Sequence, residues 1–401
     1  MKNLNIAIFI ENYAAGGSDK IARVLIDNLP YKKLFLFVNH NNEMDMLLQT
    51  PLPEYTNLIV YKLITIAELG EKANSFRLKN KFIYIIFKLF NLIIRYPLII
   101  YSIVYFYFKF KKYDIDVFFS NNGGYPGGEY CRSATLSLAL SKKIKNYHIV
   151  HNIATKPFFW LFRPFEFFYD RLIDKVSTII CVSNETKKVL MDVRDIREDP
   201  LVIYNGVDSP KLKQYNSLKK DKLFKILTVG VLDSRKNQLL ILKSLVILKN
   251  KGVSNIKLFI VGREAEIGYK EKLETYASQN DITDMIEFLN FTNPYPYYEL
   301  CDIFVLSSNI ESFALVRVEA MSMNMPVITT NVGDAHMQIE NGINGFIIEN
   351  EKDMAEKITN YANNNSLVIE HGIKSSEFYN KRFTLNKMIE NYTSIIEKNY
   401  I

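Results

Sequence analysis

"DIFVLSSNIESFALVRVEAMSMNMPVIT", residues 302–329, is the stretch on which the fold turns. Its first six residues read as a β-strand and "SNIE" as a loop. "FALVRVEAMSM" reads as a helix that Ser312 caps and Pro326 stops, before "MPVIT" makes a second strand. Strand, helix and strand in so short a span form a βαβ unit, with both strands parallel in one sheet. Two glutamates stand eight positions apart within it, Glu311 in the loop and Glu319 inside the helix. A helix that starts after a strand exposes the backbone N–H groups of Phe313, Ala314, Leu315 and Val316. With the positive end of the helix dipole, these suit a diphosphate. Glu319 is placed to accept both hydroxyls of a ribose, and Glu311 to reach a sugar beyond the phosphates. Taken alone, the pair reads more readily as surface acids on an ordinary helix.

The same rhythm extends in both directions. "LNIAIFI", "KLFLFV", "IDVFFS", "NYHIVH", "STIICVS" and "PLVIYNG" alternate with helix-like segments such as 18–29 and 129–140. After a polar, lysine-rich interruption it restarts with "FKILTVG", "IKLFIVG", "MIEFLN" and the stretch above, and ends with "GFIIEN". Strands rich in Ile, Val and Phe with helices between them imply parallel sheets covered on both faces. A chain of 401 residues also exceeds what one core usually organises. The expected architecture is α/β, with two Rossmann-like doubly wound domains facing across a cleft. Residues 1–205 form the first domain and 206–374 the second, and 375–401 form a terminal helix with no strand after it.

In open parallel sheets ligands bind beyond the carboxyl ends of the strands, and the remaining candidates lie at such ends. "VGVLDSRKNQ" places Arg235 and Lys236 between a strand and a helix, where a cation can neutralise a departing phosphate. Gly16 and Gly17 follow the first strand and allow close backbone approach, or simply a tight turn. His151 ends "YHIVH" and can bond a sugar hydroxyl or sit satisfied in the core, whereas His148 reads as structural. "SNNGGYPGGEY" is a glycine-rich loop that shapes an acceptor pocket or only the fold.

These residues together resemble the retaining glycosyltransferases of family 4, of GT-B fold, whose signature is Glu, seven residues, Glu, then Ala and Met. Here that is Glu311 and Glu319 followed by Ala320 and Met321, with "CDIFVLSS" and "VGVLDSRKNQ" similar to the family's flanking motifs. The resemblance implies that Lys236 acts on the β-phosphate and that the glycine pair faces the donor phosphates. It also implies that Asn205, with Gly206 and Asp208, turns the chain into the second domain. Thr292, with Asn293, lies where the family holds the base, and Tyr295, Tyr297 and Tyr298 beside them read as packing. The family usually has arginine directly after the glycine of "VGVLD", where this chain has Val231, so either Arg235 takes over or one cation suffices.

The bulk numbers bound the setting. With 48% apolar and 23% charged residues the chain is ordinary and globular. Cys131, Cys181 and Cys301 match no zinc or redox spacing, and the first apolar run, "IAIFI", is too short for a secretion signal. A cytoplasmic location is expected, or a peripheral one on the inner face of the cell membrane. The net charge of +7 is concentrated: residues 72–112 hold nine basic side chains and no acid, threaded with Phe, Tyr and Ile. That pattern suits an anionic membrane surface. It suits a core helix too. Its longest uncharged run, Tyr96–Phe108, has thirteen residues and contains Pro97, short of the roughly 20 that a span needs. Nucleic acid is not expected as a partner, because the basic residues are threaded with long aliphatic runs and do not line a polar face. The expected activity is retaining transfer of a sugar from a nucleotide-diphosphate-sugar, UDP before GDP, to a saccharide or lipid-linked saccharide in surface polysaccharide assembly, without metal or other cofactor. A nucleotide-sugar epimerase of the same architecture and a non-catalytic membrane scaffold are the alternatives.

Overall fold

Segments of Ile, Val, Leu and Phe too short for a helix pair as strands covered on both sides, the environment of a parallel sheet. The computed structural model describes the chain outside residues 1–3, 12–15, 41–49, 77–79, 158–159, 209–222, 291 and 399–401. It forms two compact units, Met1–Tyr204 with Met388–Ile401, and Asn205–Lys387.

The first unit holds β1 (Asn5–Ile10), β2 (Lys33–Asn39), β3 (Thr56–Tyr61), β4 (Val117–Asn122), β5 (Lys145–Val150), β6 (Thr178–Cys181) and β7 (Leu201–Val202). Their order is β3-β2-β1-β4-β5-β6-β7, all parallel. The described helices are α1 (Gly17–Asn28), α2 (Ile66–Asn74), α3 (Lys81–Phe110), α4 (Glu129–Ser141), α5 (Arg163–Val176) and α6 (Asn184–Val193). Strand order reverses between β1 and β4, so the loops at their carboxyl ends border the crevice where such sheets take ligands. Phe9 of β1 anchors an aromatic core, its ring 5.0 Å from those of both Tyr61 and Phe106.

Helix α3 settles the reading of the basic segment in an unexpected way. Asn80 caps it by accepting from the N–H groups of Phe82 and Ile83, and it continues through Pro97 for 30 residues. By length and composition alone it could cross a membrane. Instead it lies along α4 and buries one stripe, Ile99, Ser102, Phe106 and Phe110, in the core of the unit. The opposite face is open: Phe82 is 71% exposed and Ile93 69%. Core helix and exposed apolar face are thus two sides of one element.

The second unit holds β8 (Phe224–Val229), β9 (Ile256–Val261), β10 (Ile286–Leu289), β11 (Ile303–Leu306), β12 (Val327–Thr330) and β13 (Gly345–Ile348). Their order is β10-β9-β8-β11-β12-β13, again parallel, with Phe304 opposite Val327. The strands of the opening stretch are therefore adjacent, and the switch point falls between β8 and β11. Its described helices are α7 (Gln238–Asn250), α8 (Tyr269–Gln279), α9 (Tyr295–Leu300), α10 (Leu315–Ser322), α11 (Ala335–Gln338), α12 (Glu351–Asn363) and α13 (Asn365–Arg382), with α14 (Leu385–Glu397) after them.

The stretch from Ser375, read from sequence as one helix, is the second half of α13 followed by α14. The break comes where Val207 pairs with the backbone, donating to the Phe383 carbonyl at 3.0 Å and accepting from Leu385 N at 3.0 Å. Gly206 permits this approach, since a Cβ there would lie 2.4 Å from the Thr384 carbonyl. Helix α14 then joins the first unit, where Tyr147 donates to the Ile395 carbonyl at 2.9 Å.

Candidate active site

The loops after β8 and β11 meet at the switch point of the second sheet. Lys236 Nζ lies 2.5 Å from Glu311 Oε1, with both side chains largely buried. Ser308 Oγ donates to the same carboxylate at 2.7 Å. Burial alone would raise the Glu311 carboxyl. The Lys236 ammonium, the Ser308 hydroxyl and the nearby Arg235 reverse that and hold it below its ordinary value. The two loops are laced together: Asn309 N donates to the Arg235 carbonyl at 2.8 Å and Ser307 Oγ to the Lys236 carbonyl at 3.0 Å. The Lys236 chain packs over Gly230, at φ 156°, where a Cβ would make only an ordinary contact of 3.4 Å with Cε. Arg235 turns outward, 45% exposed and 3.4 Å from Asp233. Lys236 is the cation that pairs with Glu311.

The start of α10 differs from the expectation. Ser312 does not cap it. The cap residue is Ala314, in a left-handed conformation at φ 61°, and the helix begins at Leu315. Phe313 and Ala314 therefore belong to the loop, and Leu315 and Val316 are the first helical residues. Glu319 lies in the second turn, 4% exposed, and accepts from Tyr298 Oη at 3.1 Å; the same hydroxyl is 3.2 Å from the Val316 carbonyl. Tyr298, read from sequence as packing, thus holds the second glutamate. Burial and the Glu319 charge raise its phenol well above the usual range. Thr292 and Asn293 are exposed just before α9.

In the first unit, Gly16 and Gly17 open α1. Gly16 has φ −162°, which any residue adopts, and a Cβ there would meet nothing within 4 Å. The conformational argument for a glycine at 16 therefore fails. Its N–H donates to Asp19 at 2.8 Å. His151 is 5% exposed, with Nε2 2.7 Å from Asn121 Oδ1, while Asn121 Nδ2 donates to the Ser18 carbonyl. That orientation of the amide makes its Oδ1 an acceptor, so the His151 proton sits on Nε2. Nδ1 is buried with no partner. Burial pulls the imidazole down to about 4, so it is neutral at pH 7. His148 is structural as read, held between Asn122 and Thr135. Asn205 is 4% exposed at the first position of the second unit, with Oδ1 unpartnered.

With this geometry in place, the comparisons are specific. Residues 67–210 match glycosyltransferase family 4, and residues 211–375 match the glycosyl transferases group 1. Together the two glycosyltransferase models span residues 67–375, and the chain belongs to the glycosyltransferases. The CapM glycosyltransferase of Staphylococcus aureus capsular polysaccharide biosynthesis is 29% identical over 225 residues, 51% of this chain and 58% of the relative. The Escherichia coli UDP-Gal:alpha-D-GlcNAc-diphosphoundecaprenol alpha-1,3-galactosyltransferase is 26% identical over 186 residues, 43% of this chain and 47% of its own. The chain thus matches about half the length of these curated relatives. Anabaena HepE, crystallised with UDP and glucose, shares the fold at a TM-score of 0.72, with 16% identity over 98% of this chain and 99% of that one. Its fold is GT-B.

Two features of this glycosyltransferase were not read from its sequence. Glu11, directly after β1, is 6% exposed and accepts from Tyr130 N at the start of α4 at 2.6 Å. Burial raises it to about 8 in spite of that bond, so it carries a proton at pH 7. Behind the glycine-rich loop lies a sealed cluster of Arg95, Arg132 and Arg194 with Glu129, Glu166 and Asp170. Arg132 bonds Glu166 at 3.0 Å and Asp170 at 3.1 Å, and Arg194 bonds the same pair at 2.6 and 2.8 Å. Tyr125 of the loop donates to Asp170 at 2.9 Å. Among the described residues no group of three or more His, Cys, Asp or Glu is placed to hold a metal.

Proposed function

We propose that the chain transfers a sugar, with retention, from a UDP-sugar to a lipid-linked saccharide at the inner face of the cell membrane, in the assembly of a surface polysaccharide. The observation that carries this is the Lys236–Glu311 pair at the carboxyl ends of β8 and β11, just before α10, whose second turn carries Glu319. The donor diphosphate lies against the N–H groups of 313–316. Lys236 neutralises the β-phosphate as the glycosidic C–O bond breaks. Glu311, kept ionised by Lys236 and Ser308, orients the sugar, and Glu319, steadied by Tyr298, accepts the ribose hydroxyls. The acceptor hydroxyl approaches the anomeric carbon from the side of the departing phosphate, which takes its proton. His151, neutral at pH 7, is assigned to a sugar hydroxyl, Gly16, Gly17 and Asn205 are assigned to donor contacts, and Thr292 is assigned to the base. No metal is required, since cation and helix end meet the leaving charge. The names of CapM and of the E. coli galactosyltransferase, the latter specifying UDP-Gal and a diphosphoundecaprenol acceptor, support the polysaccharide, UDP and lipid-linked parts of this reading.

The test is thermal stabilisation by UDP, GDP and their sugars. A ligand at about a hundred times its dissociation constant adds roughly 2.7 kcal/mol. A shift with one nucleotide class that Glu319→Ala removes is the expected result. No shift with any nucleotide would sink the donor assignment and return the scaffold reading.

The acceptor side rests on α3. Its outward Phe82, Ile93, Ile100 and Phe108 are flanked by Lys81, Lys88, Lys111 and Lys112. The 3₁₀ turn Trp160–Phe162 lies against it, the Phe162 ring 4.3 Å from that of Tyr96, and adds Trp160 at 67% exposed. An apolar face with an interfacial Trp and a lysine rim complements an anionic bilayer. In liposome flotation the protein should rise with phosphatidylglycerol vesicles and much less with phosphatidylcholine. Equal, negligible binding to both would remove the reason for preferring a lipid acceptor.

A further inference from the structure

Arg317, at the third position of α10, is fully buried. Two costs attach to that placement: a cation leaves water, and it stands in the first turn of a helix, whose dipole end is already positive. Its hydrogen-bond acceptors are neutral, Thr329 Oγ1 at 3.1 Å and the carbonyls of Val332 and Phe313 at 3.3 and 3.4 Å, and its Nε has no partner. Burial lowers the guanidinium to about 10 against the pull of Glu311 and Asp334, so it stays charged at neutral pH.

The Phe313 carbonyl is held a second time, by Gln338 Nε2 at 2.8 Å, from a side chain that is also fully buried. In a trans peptide the carbonyl and the following N–H point in opposite directions. Two donors gripping the Phe313 oxygen from the interior therefore turn the Ala314 N–H away from it. The grip also accounts for Ala314 itself: a left-handed φ of 61° is unfavourable for alanine and persists where surrounding bonds over-determine it.

We infer that Arg317 and Gln338 are positioning residues that preset the Phe313–Ala314 peptide with its N–H toward the donor diphosphate, Arg317 also supplying positive charge that Glu311 and Asp334 offset only in part. This rests on the donor assignment above. It assigns to Arg317 the electrostatic part left open by Val231.

The experiment compares affinities for a nucleoside diphosphate and its uncharged nucleoside, UDP against uridine and GDP against guanosine, in the wild type, Arg317→Met, Arg317→Lys and Gln338→Leu. Arg317→Met is expected to lose about 10- to 100-fold in diphosphate affinity, the range of a charge-assisted hydrogen bond, with nucleoside affinity unchanged. Arg317→Lys should recover part of the loss through charge alone, and Gln338→Leu should show a smaller loss of the same selectivity. The ligand-free melting temperature of Arg317→Met should not fall, because a well-packed apolar side chain replaces a buried charge. A purely structural role predicts the reverse, a lower melting temperature and equal losses for diphosphate and nucleoside. An unchanged diphosphate-to-nucleoside ratio in both Arg317→Met and Gln338→Leu overturns the inference alone. Failure of the wild type to bind any of the four ligands takes the donor assignment down with it.

Discussion

Replacing Lys236 by Met is expected to lower kcat for sugar transfer by about 10²- to 10³-fold, the usual effect of deleting one group aimed at charge that develops in the transition state. The same change strips Glu311 of the partner that outweighs its burial, so a second effect on stability follows. In the wild type the Glu311 carboxyl is held below its ordinary value. A depressed carboxylate contributes stability that is present above its unfolded pKa and lost as the pH falls through the folded one. The melting temperature of Lys236→Met should therefore lie below that of the wild type at pH 7, and the gap should close toward pH 4. Adding Glu311→Gln should restore stability and leave transfer abolished. Recovery of transfer in the double variant would show that the pair is structural and not catalytic.

The second large effect is expected at Arg132. Removing it by Arg132→Met leaves three buried acids facing two arginines, and breaking such a pairing costs about 3–5 kcal/mol. Glu166 sits below the usual carboxylate range because Arg132, Arg95 and Arg194 together overcome its burial. By the same linkage the loss should be largest near neutral pH and shrink in acid, where the unfolded chain also takes up protons. Thermal unfolding between pH 4 and 8 measures this. Arg132→Met with Glu129→Gln, which restores neutrality, should recover part of the stability. If the single variant melts with the wild type at pH 7, the cluster does not hold the unit together.

The parallel sheets were legible because each strand is a short run of buried Ile, Val, Leu and Phe, and because Glu311 and Glu319 sit at a fixed spacing beside a strand end. Position along one element is a local property, and local properties survive in sequence. The cap of α10 was misread for the opposite reason. Ser312 has the better capping side chain, but Arg317 and Gln338, one from four residues on and one from another helix, fix the Phe313 carbonyl and move the helix start to Leu315. Tyr298 beside Glu319, Asn121 beside His151, and Glu11 beside Tyr130 are likewise pairings across 21 to 119 positions. The charge cluster draws on α3, α4, α5 and the segment after α6, and nothing in any one of them announces the others. Helix α3 was half legible: its composition showed the apolar face, while Pro97 masked its length.

The sealed charge cluster also decides what salt can do to this enzyme. Mobile ions screen exposed charges over a Debye length of about 8 Å at physiological ionic strength, but they do not enter a dry interior. Arg132, Arg194, Glu129, Glu166 and Asp170 have side chains at most 2% exposed, whereas the lysines at the rim of α3 stand in solvent. Ionic strength then becomes a selective handle. For the membrane-bound state proposed above, raising it is expected to weaken the hold of the lysine rim on an anionic surface and to leave the frame behind the glycine-rich loop intact, so that salt washes the protein from a bilayer and dilution returns it without passage through an unfolded state.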